Sequence, residues 1–194
     1  WAPGRVIEHD GKFYLYVTFV KPGDKMGTYV LVADRPEGPF RFTEGKGLFV
    51  SGEEVDSPAI IDDIDGEPFI DDDGTGYIFW RRRNAGRLSA DRLHIEGEPL
   101  TMQTARQGYS EGPVMFKRKG IYYYIYTLSG HQNYANAYMM SRESPLTGFV
   151  KPEGNDIFLF SSPENQVWGP GHGNVFYDER TDEYIFLYLE YGDG

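Results

Sequence analysis

The 194-residue sequence contains no cysteine and only four histidines. The missing thiols exclude disulfide-stapled scaffolds, thiolate metal sites and cysteine nucleophiles. Basic residues are also scarce, because 19 Lys and Arg stand against 30 Asp and Glu and give a formal net charge of −11. So acidic a chain lacks the basic face that nucleic acids and anionic membranes require, and we expect neither as a partner.

Long apolar runs are missing as well. No stretch approaches the roughly 20 residues that a membrane-spanning helix needs. No segment of helical length follows the 3.6-residue period of an amphipathic helix. The sequence opens on Trp1 without a starting methionine or a visible signal peptide, and such an opening is what we expect of a processed or truncated product.

Aromatic residues are abundant, with 15 Tyr and 13 Phe. They combine with β-branched residues in short runs bounded by Gly, Pro, Asp and Asn, a pattern typical of β-strands. These runs cover residues 13–20, 27–33, 77–80, 121–127 and 184–191. Many short strands separated by hairpin turns predict an all-β sandwich, barrel or propeller.

Internal repeats decide between these three architectures. Residues 11–16 and 29–40 match residues 120–125 and 138–149 at a common offset of 109 residues. A second pair of segments, 69–79 and 176–186, matches at an offset of 107 residues. Two interleaved repeats of this size indicate a unit of roughly 50–55 residues, close to the length of a four-stranded propeller blade.

Four blade-like units begin near Trp1, Val55, Ser110 and Gly169, and the last contains only its first strands. A propeller closes into a ring so that no long sheet edge stays open. We therefore expect residues 1–194 to form a single incomplete propeller domain that is part of a larger ring. Open blade edges also favour self-association or a complementing chain as a partner.

Four chemically useful side chains fall on one position of the repeat. The alignment places Asp65 on His172 and Trp1 on Glu111, where the first strand of each blade would line the central channel. Glycosidic cleavage needs one protonated carboxyl group and one carboxylate, and an aromatic ring can stack on a sugar. This set of residues therefore favours carbohydrate chemistry at the axis.

Motifs along the chain carry a family resemblance. They are Trp1-Ala-Pro3, Ile64-Asp65 followed by Phe69-Ile-Asp-Asp-Asp-Gly74, Glu111-Gly-Pro113 with Gly120-Ile-Tyr-Tyr-Tyr124, and Gly169-Pro-Gly-His-Gly173. In this order and spacing the sequence resembles glycoside hydrolase family 43 over essentially its whole length, from that family's second blade into its fifth.

The resemblance implies a five-bladed β-propeller and an inverting exo-enzyme that needs no cofactor. The expected substrates are terminal arabinose or xylose residues of plant hemicellulose or pectin oligosaccharides, cleaved by an exo-α-L-arabinofuranosidase or β-xylosidase. It implies that Glu111 is the general acid and that Asp65 orients this acid and raises its pKa. Trp1 and His172 are expected to bind substrate, and calcium is the candidate for a structural cation near His172.

Departures from the family pattern leave alternatives open. The family's general base lies upstream of the Trp-Ala-Pro motif, so we expect these 194 residues alone to hydrolyse poorly. Gly66 replaces the usual proline after Asp65, which leaves Asp62 and Asp63 as competitors for its role. Gly4 replaces a commonly acidic residue. A non-catalytic carbohydrate-binding propeller or an inactive fragment is the alternative function.

Other conspicuous residues have structural interpretations. The acidic run 71–73 precedes Gly74 as a hairpin turn would, which favours a turn over a metal cluster. The basic run Arg81–Arg83 is expected to be solvated, with the mouth of a cleft as the alternative place. The remaining aromatic residues are expected to belong to the core or scaffold: Trp80, Trp168, and Tyr29 and Phe40 with their repeat partners Tyr138 and Phe149.

Overall fold

The computed structural model describes residues 2–21, 25–44, 57–129 and 133–192. Within these ranges the chain forms short antiparallel strands and two 3-10 turns, Arg81–Arg83 and Pro163–Asn165. None of its helices is long and apolar enough to cross a membrane over the described residues. The chain divides into two compact units: Trp1–Trp80 with Gly86–Pro99, and Arg81–Ala85 with Leu100–Gly194.

The first unit begins with a four-stranded antiparallel sheet of strands in sequence order. Its strands are β1 (Ala2–His9), β2 (Lys12–Lys21), β3 (Lys25–Ala33) and β4 (Arg41–Phe42). A two-residue hairpin joins β1 to β2, where Asp10 and Gly11 have positive φ angles of 49° and 71°. Positive φ at both positions is what a type I′ turn requires, and Asp-Gly is a preferred pair there.

A second four-stranded sheet follows in the same simple order. It contains β5 (Glu67–Ile70), β6 (Gly76–Trp80), β7 (Asn84–Leu88) and β8 (Ile95–Thr101). The predicted hairpin turn after β5 is confirmed, because the Gly74 amide donates a 2.9 Å hydrogen bond to the Asp71 carbonyl and Gly74 has a φ of 82°.

The core of the first unit packs tyrosine and tryptophan rings against aliphatic side chains. Tyr16 and Ile78 are fully buried, and Trp80 is buried in the same cluster, as predicted. The Tyr16 hydroxyl donates a 2.7 Å hydrogen bond to the Arg92 carbonyl, which satisfies the one polar atom of that ring. Tyr29 is also fully buried, which confirms its place in the scaffold.

The second unit contains a four-stranded sheet and a strand pair. The sheet, ordered β12-β11-β10-β9, consists of β9 (Val114–Arg118), β10 (Ile121–Leu128), β11 (Ala135–Ser141) and β12 (Ile157–Phe160). The pair is β13 (Gly171–Asp178) with β14 (Glu183–Leu189). All neighbours are antiparallel, as hairpin connections require.

Val114, Ile125 and Val175 form the core of this unit, with stacked aromatic rings around them. Asp156 of the same unit is fully buried, and its carboxylate accepts hydrogen bonds of 2.7 and 2.9 Å from Arg106. A bidentate guanidinium contact of this kind is what allows a carboxylate to stay charged when it is buried.

The backbone confirms the repeat of 109 residues. The turn between β9 and β10 has φ angles of 49° at Lys119 and 75° at Gly120, nearly the same as those between β1 and β2. The strands on either side of the two turns pair in the same antiparallel manner. The same hairpin has therefore been built twice from different residues.

Candidate active site

The backbone of Glu111 is held from both sides by one threonine of β10. The Glu111 amide donates a 2.8 Å hydrogen bond to Thr127 Oγ1, and the Thr127 hydroxyl donates a 2.7 Å hydrogen bond to the Glu111 carbonyl. Thr127 is fully buried and Glu111 is only 8% exposed. The loop before β9 therefore fixes the carboxyl group of Glu111 in an enclosed place.

A tyrosine two residues earlier contacts that carboxyl group. The Tyr109 hydroxyl is hydrogen-bonded to Glu111 Oε2, although the residue as a whole is 47% exposed. Burial of the phenol raises the pKa of Tyr109 to about 12, and the hydrogen bond to Glu111 and its negative charge add to the shift. The phenol therefore keeps its proton at neutral pH and can donate it to the carboxylate.

The two glycine-rich motifs of the second unit meet at Gly112. A Cβ atom on Gly112 would lie 2.9 Å from the Cα atom of His172, and Gly112 has a φ of 51°. Both facts exclude a larger residue without strain, since Cβ atoms do not approach a backbone so closely and this φ favours glycine. The structure thus places the backbone of His172 against Gly112, the residue that follows Glu111, so the two predicted site residues lie on neighbouring segments.

The segment that carries His172 packs against β11 and against Tyr134, the residue that precedes β11. Asn136 Nδ2 donates a 2.7 Å hydrogen bond to the Pro170 carbonyl from a fully buried position. A Cβ atom on Gly171 would lie 2.8 Å from Cγ of Tyr134. The glycines of this motif are therefore needed for close packing, while His172 itself is half-buried with a φ of 45°.

The interpretation of Arg81–Arg83 as a solvated run is wrong for Arg83. Arg83 is 8% exposed, and its guanidinium lies 5.8 Å from the centre of the Tyr126 ring, a cation–π contact that compensates for burial. Arg83 Nη2 donates a 2.7 Å hydrogen bond to the Gly108 carbonyl, so the side chain reaches the segment that carries Tyr109.

Asp65 belongs to the first unit. It is 8% exposed with a φ of 65°, and its amide donates a 3.0 Å hydrogen bond to Thr18 Oγ1. Asp62 is exposed and Asp63 is half-buried, so Asp65 is the most enclosed of the three competitors. Its left-handed backbone matches that of His172, its partner in the repeat of 107 residues.

The two departures from the family motifs have a common steric cause. A Cβ atom on Gly66 would lie 2.6 Å from Cγ2 of Thr28, and one on Gly4 would lie 2.6 Å from the Tyr16 carbonyl oxygen. The same Cβ atom on Gly4 would lie 3.0 Å from the Gly66 carbonyl oxygen, so the two glycines face each other. Only residues without a side chain fit this approach of β1 to the loop before β5.

Sequence reasoning missed an acidic residue next to Asp65. Glu67 is buried, and Arg5 Nε lies 3.1 Å from its Oε1 atom. Burial raises the pKa of Glu67 to about 7, while the charge of Arg5 opposes this shift. The available signal was an acidic residue two positions after Asp65, although only Glu67 of the two lies in a strand. The same spacing joins Tyr109 to Glu111, which was also overlooked.

The remaining predicted elements of the site have different outcomes. Trp1 lies outside the described residues. No group of three or more His, Asp or Glu side chains could hold a metal ion within the described ranges. Calcium takes six to eight oxygen ligands, which include backbone carbonyls and waters, so a structural calcium near His172 stays a prediction.

Comparisons with known proteins show which family the chain resembles. A sequence model described as glycosyl hydrolases family 43 matches residues 1–193. A β-D-galactofuranosidase of Aspergillus niger is 30% identical, over 98% of this chain and 56% of its own length. A xylosidase/arabinosidase of Humicola insolens is 27% identical, over 90% of this chain and 33% of its own. A solved structure of a glycoside hydrolase superposes with a TM-score of 0.84 at 42% identity, covering 99% of this chain and 43% of that chain.

The chain spans about half the length of the galactofuranosidase and a smaller share of the other two proteins. The structural likeness confirms the prediction of an all-β propeller fold, of which this chain holds about four blades. With the family model matched over almost every residue, the chain belongs to glycoside hydrolase family 43.

Proposed function

We propose that the protein is a glycoside hydrolase in which Glu111 is the general acid. The observation that carries this proposal is the enclosure of the Glu111 carboxyl group, with the backbone tied to Thr127 and Oε2 bound to Tyr109. A solvated surface glutamate would lack this enclosure and the anchoring of its backbone by a buried threonine. A general acid must be held within hydrogen-bond reach of the oxygen that it protonates, and such fixed placement serves that need.

The proposed reaction is an inverting hydrolysis without a cofactor. Glu111 gives its proton to the glycosidic oxygen as the bond from that oxygen to the anomeric carbon breaks. A water molecule forms the new bond from the opposite face and loses a proton to a carboxylate base, which the family resemblance assigns to a position before Trp1. Inverting sites keep acid and base roughly 6.5–9.5 Å apart to admit this water.

Asp65 is proposed as the residue that orients Glu111 and raises its pKa. A nearby negative charge disfavours ionisation of an acid and so keeps it protonated at a higher pH. The burial of Asp65 and the anchoring of its amide by Thr18 support this role, since a freely solvated aspartate would be screened.

His172 and Trp1 are proposed to bind substrate. The contact of the His172 backbone with Gly112, next to the proposed acid, supports the former. The ligand is a carbohydrate rather than a nucleic acid or a membrane, in keeping with the net charge of −11. That residues 1–194 form a single incomplete propeller domain stays a prediction. Self-association or pairing with a complementing chain also stays a prediction, which the exposed Leu187 and Leu189 of β14 support.

The proposed substrate is a terminal arabinose or xylose residue of hemicellulose or pectin oligosaccharides. The name of the Humicola insolens relative supports both sugars. The Aspergillus niger relative supports terminal galactofuranose as a second candidate. β-D-Galactofuranose has the ring configuration of α-L-arabinofuranose with one added hydroxymethyl group. One such group changes specificity by about 10–200-fold, so both activities can occur in one site.

The test compares leaving groups in the full-length protein. Aryl α-L-arabinofuranosides, β-D-xylosides and β-D-galactofuranosides are offered with a poor leaving group, methoxyphenol, or a good one, dinitrophenol. We expect Glu111→Gln to lower kcat/KM about 10²–10⁴-fold for methoxyphenyl substrates, the usual contribution of general acid catalysis. Dinitrophenyl substrates should be nearly unaffected, because their leaving oxygen needs no proton.

Glu164→Gln is the matched control. Glu164 is an exposed glutamate of the same unit whose carboxylate also accepts a hydroxyl hydrogen bond, from Ser162. It should leave both classes of substrate unchanged. Equal losses on both leaving groups in Glu111→Gln would assign Glu111 a structural role instead. Sugar binding without any release by the unmodified protein would support the carbohydrate-binding propeller.

A further inference from the structure

The segment before Glu111 is clamped by the turn Arg81–Arg83 through consecutive contacts. The Arg82 amide donates a 2.9 Å hydrogen bond to the Ser110 carbonyl, and Arg83 Nη2 donates a 2.7 Å hydrogen bond to the Gly108 carbonyl. The residue between these two acceptors is Tyr109, whose hydroxyl contacts Glu111. The turn therefore fixes the backbone on both sides of the tyrosine.

The turn has an uncommon conformation. Arg82 and Arg83 have φ angles of 64° and 63°, in the left-handed region that non-glycine residues rarely adopt. Such strained residues persist only where the surroundings over-determine them, and they concentrate at functional sites. Here the Arg83 carbonyl accepts a 2.7 Å hydrogen bond from the Met102 amide, and its guanidinium packs on Tyr126.

The remaining arginine of the turn, Arg81, acts on the phenol of Tyr109 itself. The charge of Arg81 and a hydrogen bond from its side chain lower the pKa of Tyr109, against the larger effects of burial and of Glu111 that raise it. Arg81, Tyr109 and Glu111 thus form a polar chain that ends at the Glu111 carboxylate. Hydrogen bonds in such a chain polarise one another and are stronger where an end is ionised.

We propose that Tyr109 is a positioning residue for the proposed acid Glu111, and that the turn Arg81–Arg83 holds it in place. This inference rests on the proposed function of Glu111. Tyr109 binds Oε2 and leaves Oε1 as the atom that carries the proton to the glycosidic oxygen. After the transfer, its hydroxyl supports the carboxylate that remains, because a charge-assisted hydrogen bond is the stronger one.

The test is Tyr109→Phe in the full-length protein, with kcat and KM measured across pH on methoxyphenyl substrates. We expect kcat to fall on the order of tenfold with KM nearly unchanged, the size of one lost hydrogen bond to a charged group. Loss of the donor disfavours the ionised carboxylate. An acid that stays protonated to higher pH moves the alkaline limb of the rate profile upward.

Tyr177→Phe is the matched control. Tyr177 is 44% exposed, and its hydroxyl donates a 3.0 Å hydrogen bond to Asp182 Oδ1, so it resembles Tyr109 in exposure and in partner. It lies in the same unit, and its hydrogen-bond partner Asp182 is not a proposed site residue. Its replacement should change neither kcat nor the alkaline limb.

A double variant tests whether Arg81 acts through the phenol. Arg81→Gln alone should move the alkaline limb in the same direction as Tyr109→Phe, because it removes a positive charge that polarises the phenol. Combined with Tyr109→Phe it should add little, since coupled residues are not additive. Arg81→Lys keeps the positive charge, so it should shift the alkaline limb less than Arg81→Gln does.

The outcomes separate this inference from the function on which it rests. If Glu111→Gln shows the leaving-group dependence while Tyr109→Phe changes neither kcat nor the alkaline limb, the positioning role is overturned and the general acid stands. If Glu111→Gln loses no activity, the acid role fails first and the positioning role fails with it. Additive shifts in the double variant would remove Arg81 from the chain.

Discussion

The two units anchor their candidate acidic residues with equivalent threonines that hold different stretches of chain. Thr18 of β2 and Thr127 of β10 are related by the repeat of 109 residues, and both are buried. Thr18 accepts from the amide of Asp65, 47 residues further along, whereas Thr127 accepts from the amide of Glu111, 16 residues earlier. The repeat thus conserves the buried hydroxyl, and the connecting loops decide which acidic residue it holds.

The glycines that follow the two candidate acidic residues are also packed differently. In the first unit Gly66 lies against the side-chain methyl group of Thr28, and its φ is not positive. In the second unit Gly112 lies against the backbone of His172 and has a positive φ. A side-chain contact can be relieved by a second substitution, while a backbone contact cannot. The site around Glu111 should therefore tolerate change less well than the loop around Asp65.

The largest effect is expected from Gly112→Ala. The added methyl group would collide with the backbone of His172 and the residue would hold a strained φ, which together cost about 2–4 kcal/mol. Gly66→Ala should cost about 1–3 kcal/mol, because its nearest neighbours are the side chains of Thr28 and Ile61, with the Thr28 methyl group closest at 2.6 Å. The free energy of unfolding and kcat of both full-length variants measure the difference.

The double variant Gly66→Ala with Thr28→Ser sharpens this test. Serine removes the methyl group and keeps the hydroxyl that donates a 2.9 Å hydrogen bond to the Asp63 carbonyl. Most of the lost stability should return in this variant, because the next neighbour, Ile61 Cδ1, lies farther from the added methyl group, at 3.2 Å. A full recovery of Gly112→Ala by any change of the His172 side chain would show that the backbone contact is not what limits this position.

The next effect concerns the threonine anchors themselves. Thr127→Val removes both a donor and an acceptor while keeping the shape of the side chain, and it leaves two backbone groups of Glu111 with weakened pairing. We expect a loss of about 2–3 kcal/mol of unfolding free energy, against about 1–2 kcal/mol for Thr18→Val, which removes one hydrogen bond to Asp65.

Hydrogen exchange gives the site-specific readout for these variants. Exchange of the Glu111 amide should accelerate in Thr127→Val and not in Thr18→Val, and the reverse should hold for the Asp65 amide. Thr127→Ser, which keeps the hydroxyl, should protect the Glu111 amide nearly as well as threonine. Equal acceleration at both amides in either variant would contradict the assignment of one anchor to each acidic residue.

The fold could be read from the sequence because its signals are local. Short runs of aromatic and β-branched residues and Gly-containing turns predict the strands, and the repeat of 109 residues predicts that the hairpin at Asp10 and Gly11 recurs at Lys119 and Gly120. The motif around Glu111 was equally readable. Its glycine is required by the backbone of His172, so sequence and packing agree there.

The supports of the site could not be read in this way. The contact of Arg83 with Gly108 joins residues 25 positions apart, and the left-handed backbone at Arg82 and Arg83 has no signature in a run of three arginines. Such a run is usually solvated, and only the Tyr126 ring beneath Arg83 makes its burial favourable. Likewise, the sequence shows Gly66 only as a departure from the family motif. The structure gives the reason, because Thr28 leaves no room for a larger residue.

The smallest expected effect is a difference in how the two units respond to pH. Burial raises the pKa of Glu67 in the first unit to about 7, above its ordinary value of 4.5. Hydrogen bonds from Arg106 hold the pKa of Asp156 in the second unit below its ordinary value of 3.8. The contribution of Glu67 to stability is complete below pH 4.5 and is lost as pH rises through about 7. The contribution of Asp156 is present above pH 3.8 and is lost as pH falls through its folded-state pKa.

Two isosteric variants separate these contributions in Tm measured against pH. Glu67→Gln should flatten the decline of Tm between mildly acidic and neutral pH, because glutamine cannot ionise in the buried position beside Arg5. Asp156→Asn should lower Tm near neutral pH and flatten its fall at acidic pH, since asparagine forms no ion pair with Arg106. If Glu67→Gln left the neutral-side slope unchanged, Arg5 would be keeping Glu67 ionised throughout. The first unit would then resemble the second, with both buried carboxylates held as ion pairs.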